Sequence, residues 1–208
     1  MYRPCLPTRA PRPPVGERWI SEIKFDGFRL VARRAQGQVR LFTKQGYDYS
    51  RRYPLIVEAL RRLRVSSIVV DGEAVCFGED GSHDFNALWD NSRDETVTLC
   101  AFDLLELNGE DWRGKPLIER KRRLRRLLTK DRDGLRYVEH LRIEPATIFE
   151  HVCNLGLEGI VCKRVDLPYE SGPSKRWIKV KNREHPSILR VREAFERERM
   201  REVARRRR

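Results

Sequence analysis

Apolar residues along this chain return most often at every second position, in short runs separated by Gly, Pro, Asn and Asp. That period marks strands with one buried face. Such runs cover 19–23, 28–32, 38–43, 67–77, 97–107, 137–140, 159–164 and 175–181. Other segments follow the helical period. Leu55, Ile56, Ala59, Leu60 and Leu63 line one face of a helix predicted over 55–63, after Tyr53-Pro54. Leu117, Leu124, Leu127 and Leu128 do the same over 116–128, and another helix spans 145–155 and closes at Gly156. Ile188, Leu189, Val191, Ala194 and Phe195 predict a terminal helix fading into an arginine tail. Segment 1–18 carries Pro4, Pro7, Pro11, Pro13 and Pro14 and reads as an extended lead-in strapped over the domain, outside any sheet. The chain divides accordingly into that lead-in, a domain over 19–185 and a basic segment over 186–208. It has no internal repeat.

The informative positions are those where charge breaks the pattern. Lys24 interrupts the first alternating run, and Asp26-Gly27 stands between it and the next, a short-range hairpin signal. As an isolated match, Lys24 reads as a solvated turn lysine. A lysine fixed at the mouth of a sheet turn and partly desolvated beside other cations instead has reason to lose its proton and act as a nucleophile. Asp71 and Glu73 lie two apart, on one face of the most apolar strand. Charge there is costly without a partner. A salt bridge to one of the many arginines and a carboxylate aimed into a cation- or sugar-binding cleft account for them equally well. Lys179 and Lys181 project with Trp177 from one face of the last strand, an arrangement suited to gripping phosphate. On the helix over 116–128, Arg122, Arg123, Arg125 and Arg126 face outward, as a solvated or phosphate-binding face.

Composition narrows the partners. Forty-four Lys and Arg against 31 Asp and Glu give a formal net charge of +13, which favours nucleic acid or polyphosphate through phosphate contact and counterion release. A length of 208 residues suffices for one large or two small domains with a real core. No apolar run is long enough to cross a bilayer and no segment reads as a signal peptide, so no membrane is expected. Cys5, Cys76, Cys100, Cys153 and Cys162 show no C-x-x-C spacing, which argues against zinc and for buried free thiols in a reducing cytoplasm.

Five stretches, in order, carry a resemblance: Glu22-Ile23-Lys24-Phe25-Asp26-Gly27-Phe28-Arg29, Asp71-Gly72-Glu73, Ala101-Phe102-Asp103-Leu104-Leu105, Glu158-Gly159-Ile160-Val161-Cys162-Lys163 and Trp177-Ile178-Lys179-Val180-Lys181. Together they resemble the nucleotidyltransferase motifs of ATP-dependent DNA ligases, most nearly the adenylation domain of the bacterial end-joining type, over roughly residues 1–185. The resemblance implies an α+β fold of two antiparallel β-sheets flanked by helices, the ATP-grasp-like fold shared with mRNA capping enzymes, with the ATP cleft between the sheets. It implies a covalent lysyl-AMP made from ATP with Mg²⁺ or Mn²⁺, followed by AMP transfer to a DNA 5′-phosphate in repair.

Residue by residue, the resemblance makes Lys24 the nucleophile. It places Glu22 and the Ile23 backbone at the adenine edge, with Phe102 stacked on the ring. Arg29 would meet the ribose or phosphate end, Glu73 the ribose or a metal, and Glu158 the metal. Lys163, Lys179 and Lys181 would surround the α-phosphate. Read without the motif, Phe102 is equally well an ordinary core aromatic. Two departures stand out. Lys44 occupies the loop position where the family usually carries an arginine, keeping the charge without the two-pronged grip. The chain also stops soon after Lys181, where ligases continue into an OB-fold domain, so nick sealing is expected to need that domain's function from a partner. Two other readings follow from the same residues: an RNA ligase or capping-type nucleotidyltransferase, and a non-catalytic or partner-dependent DNA-binding accessory.

Overall fold

Strict alternation along one strand sorts the whole molecule into layers. In strand β5 (Ile68–Val75), Ile68, Val70 and Ala74 enter one apolar core while Val69 and Val75 enter another, with Asp71 and Glu73 on the second side. The sheet containing β5 therefore has two covered faces, one against helices and one against a second sheet.

The computed structural model describes residues 2–128 and 133–186. Besides β5 its strands are β1 (Cys5–Arg9), β2 (Trp19–Ile23), β3 (Phe28–Ala35), β4 (Gln38–Thr43), β6 (Thr98–Leu107), β7 (Glu110–Asp111), β8 (Leu135–Tyr137), β9 (Gly159–Arg164) and β10 (Gly172–Lys181). The helices are α1 (Pro54–Arg61), α2 (Phe85–Trp89), α3 (Leu117–Leu127) and α4 (Pro145–Asn154). One sheet runs β1-β10-β9-β2 and the other β4-β3-β5-β6-β7, with β8 also paired to β6. Pairing is antiparallel except for β1 with β10 and β6 with β8. Helices α1 to α3 pack on the outer face of the larger sheet, burying Ile56, Leu60, Leu88 and Leu124, and α4 covers the smaller one with Ile148 and Val152. Each such aliphatic side chain contributes about 1.5–3 kcal/mol. Between the sheets lies a third core containing Val31, Val69, Phe102 and Trp177. This is the α+β arrangement of two sheets with flanking helices that the resemblance implies.

Two expectations change. Asp26-Gly27 does not close a hairpin: β2 pairs with β9 in one sheet, and β3 with β4 and β5 in the other. Gly27 is not among the glycines with positive φ that a type I′ turn requires. Its missing side chain serves close approach instead, because a Cβ there would collide with the Ala74 carbonyl of β5. Residues 24–27 thus cross from one sheet to the other. The proline-bearing lead-in is also part of a sheet, as β1 lies parallel to β10 from Cys5↔Gly172 to Arg9↔Lys179. Pro7 is tolerated because β1 is an edge strand with a register shift immediately after it. The terminal helix expected from 187 onward lies outside the described residues.

Candidate active site

A cavity of about 160 Å³ opens where the two sheets face each other, and both sheets supply its walls. Glu22, Ile23 and Lys24 line it from the end of β2, Arg29 from β3 and Glu73 from β5. Phe102 of β6, Lys163 of β9 and Lys179 of β10 complete it, with Pro7 and Trp177 in addition. Eight of the residues singled out in the sequence therefore converge on one space.

Lys24 is held at both ends. Its backbone N–H donates to the Gly159 carbonyl at 2.9 Å, and its Nζ lies 2.5 Å from Glu158 Oε2. The other carboxylate oxygen of Glu158 takes Lys181 Nζ at 2.7 Å. Burial pushes the Glu158 carboxyl up, but Lys24 and Lys181 together outweigh it and hold its pKa below the usual range. The amine expected beside other cations therefore also has an ionised carboxylate against it. Lys179 stands beside them, its pKa lowered by burial and by the charges of Lys24, Lys181 and Lys44. Lys44 itself is exposed on the turn after β4 and does not line the cavity.

Deeper in, Glu22 forms a second bridge. Its Oε1 lies 2.5 Å from Lys121 Nζ and its Oε2 2.5 Å from Lys163 Nζ. Lys121 also donates to the Val138 carbonyl at 3.0 Å. The Lys163 ammonium sits 4.0 Å from the ring centroids of both Phe102 and Trp177. Desolvation brings Lys163 down to about 8 although Glu22 pulls the other way. Lys163 is committed to Glu22 and is not grouped with Lys179 and Lys181. Next to Lys121, Arg120 forms a two-pronged pair with Asp103 at 2.7 and 2.8 Å, fully buried. Neither Arg120 nor Lys121 was singled out from the sequence. The signal was present: they fall three and four residues after Leu117, on the face that should be apolar.

The two strand carboxylates separate. Asp71 binds Arg29 at 2.5 and 2.7 Å and accepts from Tyr169 Oη at 2.6 Å, so the salt-bridge reading holds for it. Tyr169 in turn accepts the Cys5 N–H of β1 at 2.7 Å. Arg29 lies over the Phe102 ring at 4.5 Å. Glu73 behaves differently. Desolvation raises its pKa to about 7, and the charges of Arg29 and Lys24 offset only part of that rise. Phe102 is buried with its ring on the cavity wall, so the core role and a lining role coincide.

A family model described as the ATP dependent DNA ligase domain matches residues 13–181, most of the chain. The chain belongs to the ATP-dependent DNA ligase family. Among relatives, this ligase domain is 40% identical over 182 residues to the multifunctional non-homologous end joining protein LigD of Pseudomonas aeruginosa, covering 86% of this chain and 22% of that protein. It is 29% identical to the SPbeta prophage-derived DNA ligase-like protein LigB of Bacillus subtilis, covering 83% and 64% respectively. Among solved structures, mycobacterial DNA ligase D complexed with ATP and MES superposes with a TM-score of 0.77 at 30% identity, covering 86% of this chain and 60% of that one. The ligase domain thus spans about a fifth of the Pseudomonas relative, 22% of its length. No helix among its described residues is long and apolar enough to cross a membrane.

Proposed function

We propose that this ligase domain carries out the adenylation step of DNA ligation. Lys24 Nζ attacks the α-phosphorus of ATP, an N–P bond forms, the Pα–O bond to the β-phosphate breaks, and pyrophosphate leaves with that electron pair. The observation that carries this reading is the amine of Lys24 on the cavity wall, bridged through Glu158 to Lys181 and next to Lys179. Glu158 Oε2, already bonded to Nζ, holds the amine for the attack, and the proton that the nitrogen gives up goes to water. Lys179 and Lys181 neutralise charge that builds on the non-bridging oxygens. Glu22, fixed as a carboxylate acceptor, suits the exocyclic amine of adenine, and Phe102 and Ile23 offer apolar surface to the base.

A magnesium or manganese ion fits this donor set. Hard cations take one or two carboxylates plus phosphate oxygens and water. Glu158 is ionised, and Glu73 is driven toward its neutral form by burial that no cation offsets in full. Bound there, the ion would supply further charge neutralisation on the triphosphate. AMP then passes from Lys24 to a DNA 5′-phosphate, in the end-joining repair that the names of the relatives describe. In a cell the domain works in the cytoplasm on nicked or broken duplex, with an OB-fold function supplied outside the described residues.

Intact-mass measurement after incubation with ATP and Mg²⁺ tests the step. An AMP-sized gain on the unsubstituted chain and none on Lys24→Ala is expected. No gain on the unsubstituted chain, or an undiminished gain on Lys24→Ala, sinks the proposal.

A further inference from the structure

The cationic face does not end at the lysines of β10. A second cavity, about 270 Å³, is lined by Arg9, Ala10, Pro11, Lys181 and Arg183, with no carboxylate in its wall. Lys181 links it to the first through Glu158: it lines this cavity while its ammonium shares that carboxylate with Lys24, which lines the other. Strand register explains how Arg9 arrives there. Arg9 is the cross-strand partner of Lys179, and such partners project on the same face. The Ala10 N–H, which donates to the Lys179 carbonyl at 3.1 Å, fixes the end of β1 against β10. Arg183 is placed just as firmly, because the buried Asn182 beside it donates from its backbone to the Glu158 carbonyl at 2.9 Å and from Nδ2 to the Leu157 carbonyl at 3.2 Å.

Both guanidiniums are exposed, and among the described residues neither takes part in an ion pair. Arginines elsewhere in this chain find carboxylates readily: Arg29, Arg52, Arg113, Arg120 and Arg164 all do. Two unpaired arginines and a lysine around one concavity form a receptor for a compact polyanion, and the planar fork of arginine matches phosphate oxygens in pairs.

We propose that Arg9 and Arg183, together with Lys181, hold the β- and γ-phosphates of ATP and retain them as the pyrophosphate leaving group, so that the adenylation domain carries its own pyrophosphate site. The proposal rests on the nucleotide reading above and assigns the part of the triphosphate lying beyond Lys181. A DNA phosphate would satisfy the same chemistry, and the experiment separates the two.

Calorimetric titrations of ATP and AMP in a Lys24→Ala background, where no covalent product forms, measure the excess affinity due to the two outer phosphates. Arg9→Ala and Arg183→Ala are each expected to cut that excess about tenfold while leaving AMP affinity within about twofold. Both residues are exposed, so the fold is not at stake, and a thermal melt checks it. In the Lys24-containing chain, the same substitutions should raise about tenfold the pyrophosphate needed to discharge the lysyl-AMP. An unchanged ATP excess overturns the proposal, as does weakened nicked-duplex binding with the ATP excess intact, which would give the cavity to DNA. Failure of the unsubstituted chain to bind AMP at all would instead sink the nucleotide reading.

Discussion

Glu22 and Glu158 each hold two lysines at close range, yet water reaches the two sets differently. The Lys121 and Lys163 side chains are 0% and 2% exposed, whereas those of Lys24 and Lys181 are 20% and 22% exposed. The carboxylates themselves are both buried. At Glu22 the helix α3 and the strands β6 and β9 surround the bridge, so neither lysine can leave without stranding a charge. At Glu158 both lysines are partly open to solvent, Lys24 at the cleft and Lys181 at the second cavity. The same three-group motif is therefore a fixture in one place and an exchangeable set of contacts in the other. Burial of the cations, not the pairing chemistry, decides which.

Lys121→Met leaves Glu22 Oε1 and the Val138 carbonyl without their donor inside the protein, and should cost about 3–5 kcal/mol of stability by urea or thermal unfolding. If it costs less than about 1 kcal/mol, the Glu22 bridge is no more structural than an exposed pair.

Glu73 is the cleft carboxylate that, among the described residues, no lysine bridges. Its pKa in the folded chain is about 7 against an ordinary value of 4.5, so across that window the folded chain keeps a proton that the unfolded chain releases. This contribution to stability is fully present below pH 4.5 and is lost as pH rises to about 7. Unfolding curves of the unsubstituted chain and Glu73→Gln should diverge by about 3 kcal/mol over that range, with the glutamine variant flatter. Parallel curves would show that Glu73 ionises as easily as in water.

The smallest stability effect is expected at the solvent-facing Glu158 bridge. Lys181→Met should change unfolding free energy by less than about 1 kcal/mol, because Glu158 keeps Lys24 and the removed ammonium is partly solvated. The same variant should slow formation of the lysyl-AMP about a hundredfold, measured by single-turnover mass analysis. A large stability loss with little change in rate would invert the assignment of the two bridges.

Much of this was legible in the chain. Period-two alternation placed β4 and β9 at their observed limits and put Asp71 and Glu73 on one face, and the ordered motifs located most of the cavity wall. What alternation does not carry is which strands pair. Asp26-Gly27 satisfies the local chemistry of a hairpin, but the decision rests on β9 and β5, which are more than 40 residues away along the chain. Proline content likewise hid β1, because a proline is harmless on an edge strand and the edge is a tertiary property. Arg120 and Lys121 were overlooked because a basic helix reads as solvated. Their burial depends on Asp103 and Glu22, carboxylates from two other elements that meet them only in the fold.

The crossing at 24–27 has a mechanical consequence. The strap is anchored at one end by the Gly159 carbonyl of the smaller sheet and at the other by the tight seat of Gly27 on Ala74 in the larger one. Its reactive amine therefore rides on the tie rod between two plates. The position of that nitrogen is therefore set by how the two sheets sit on each other, because both ends of its short carrier are fixed to them.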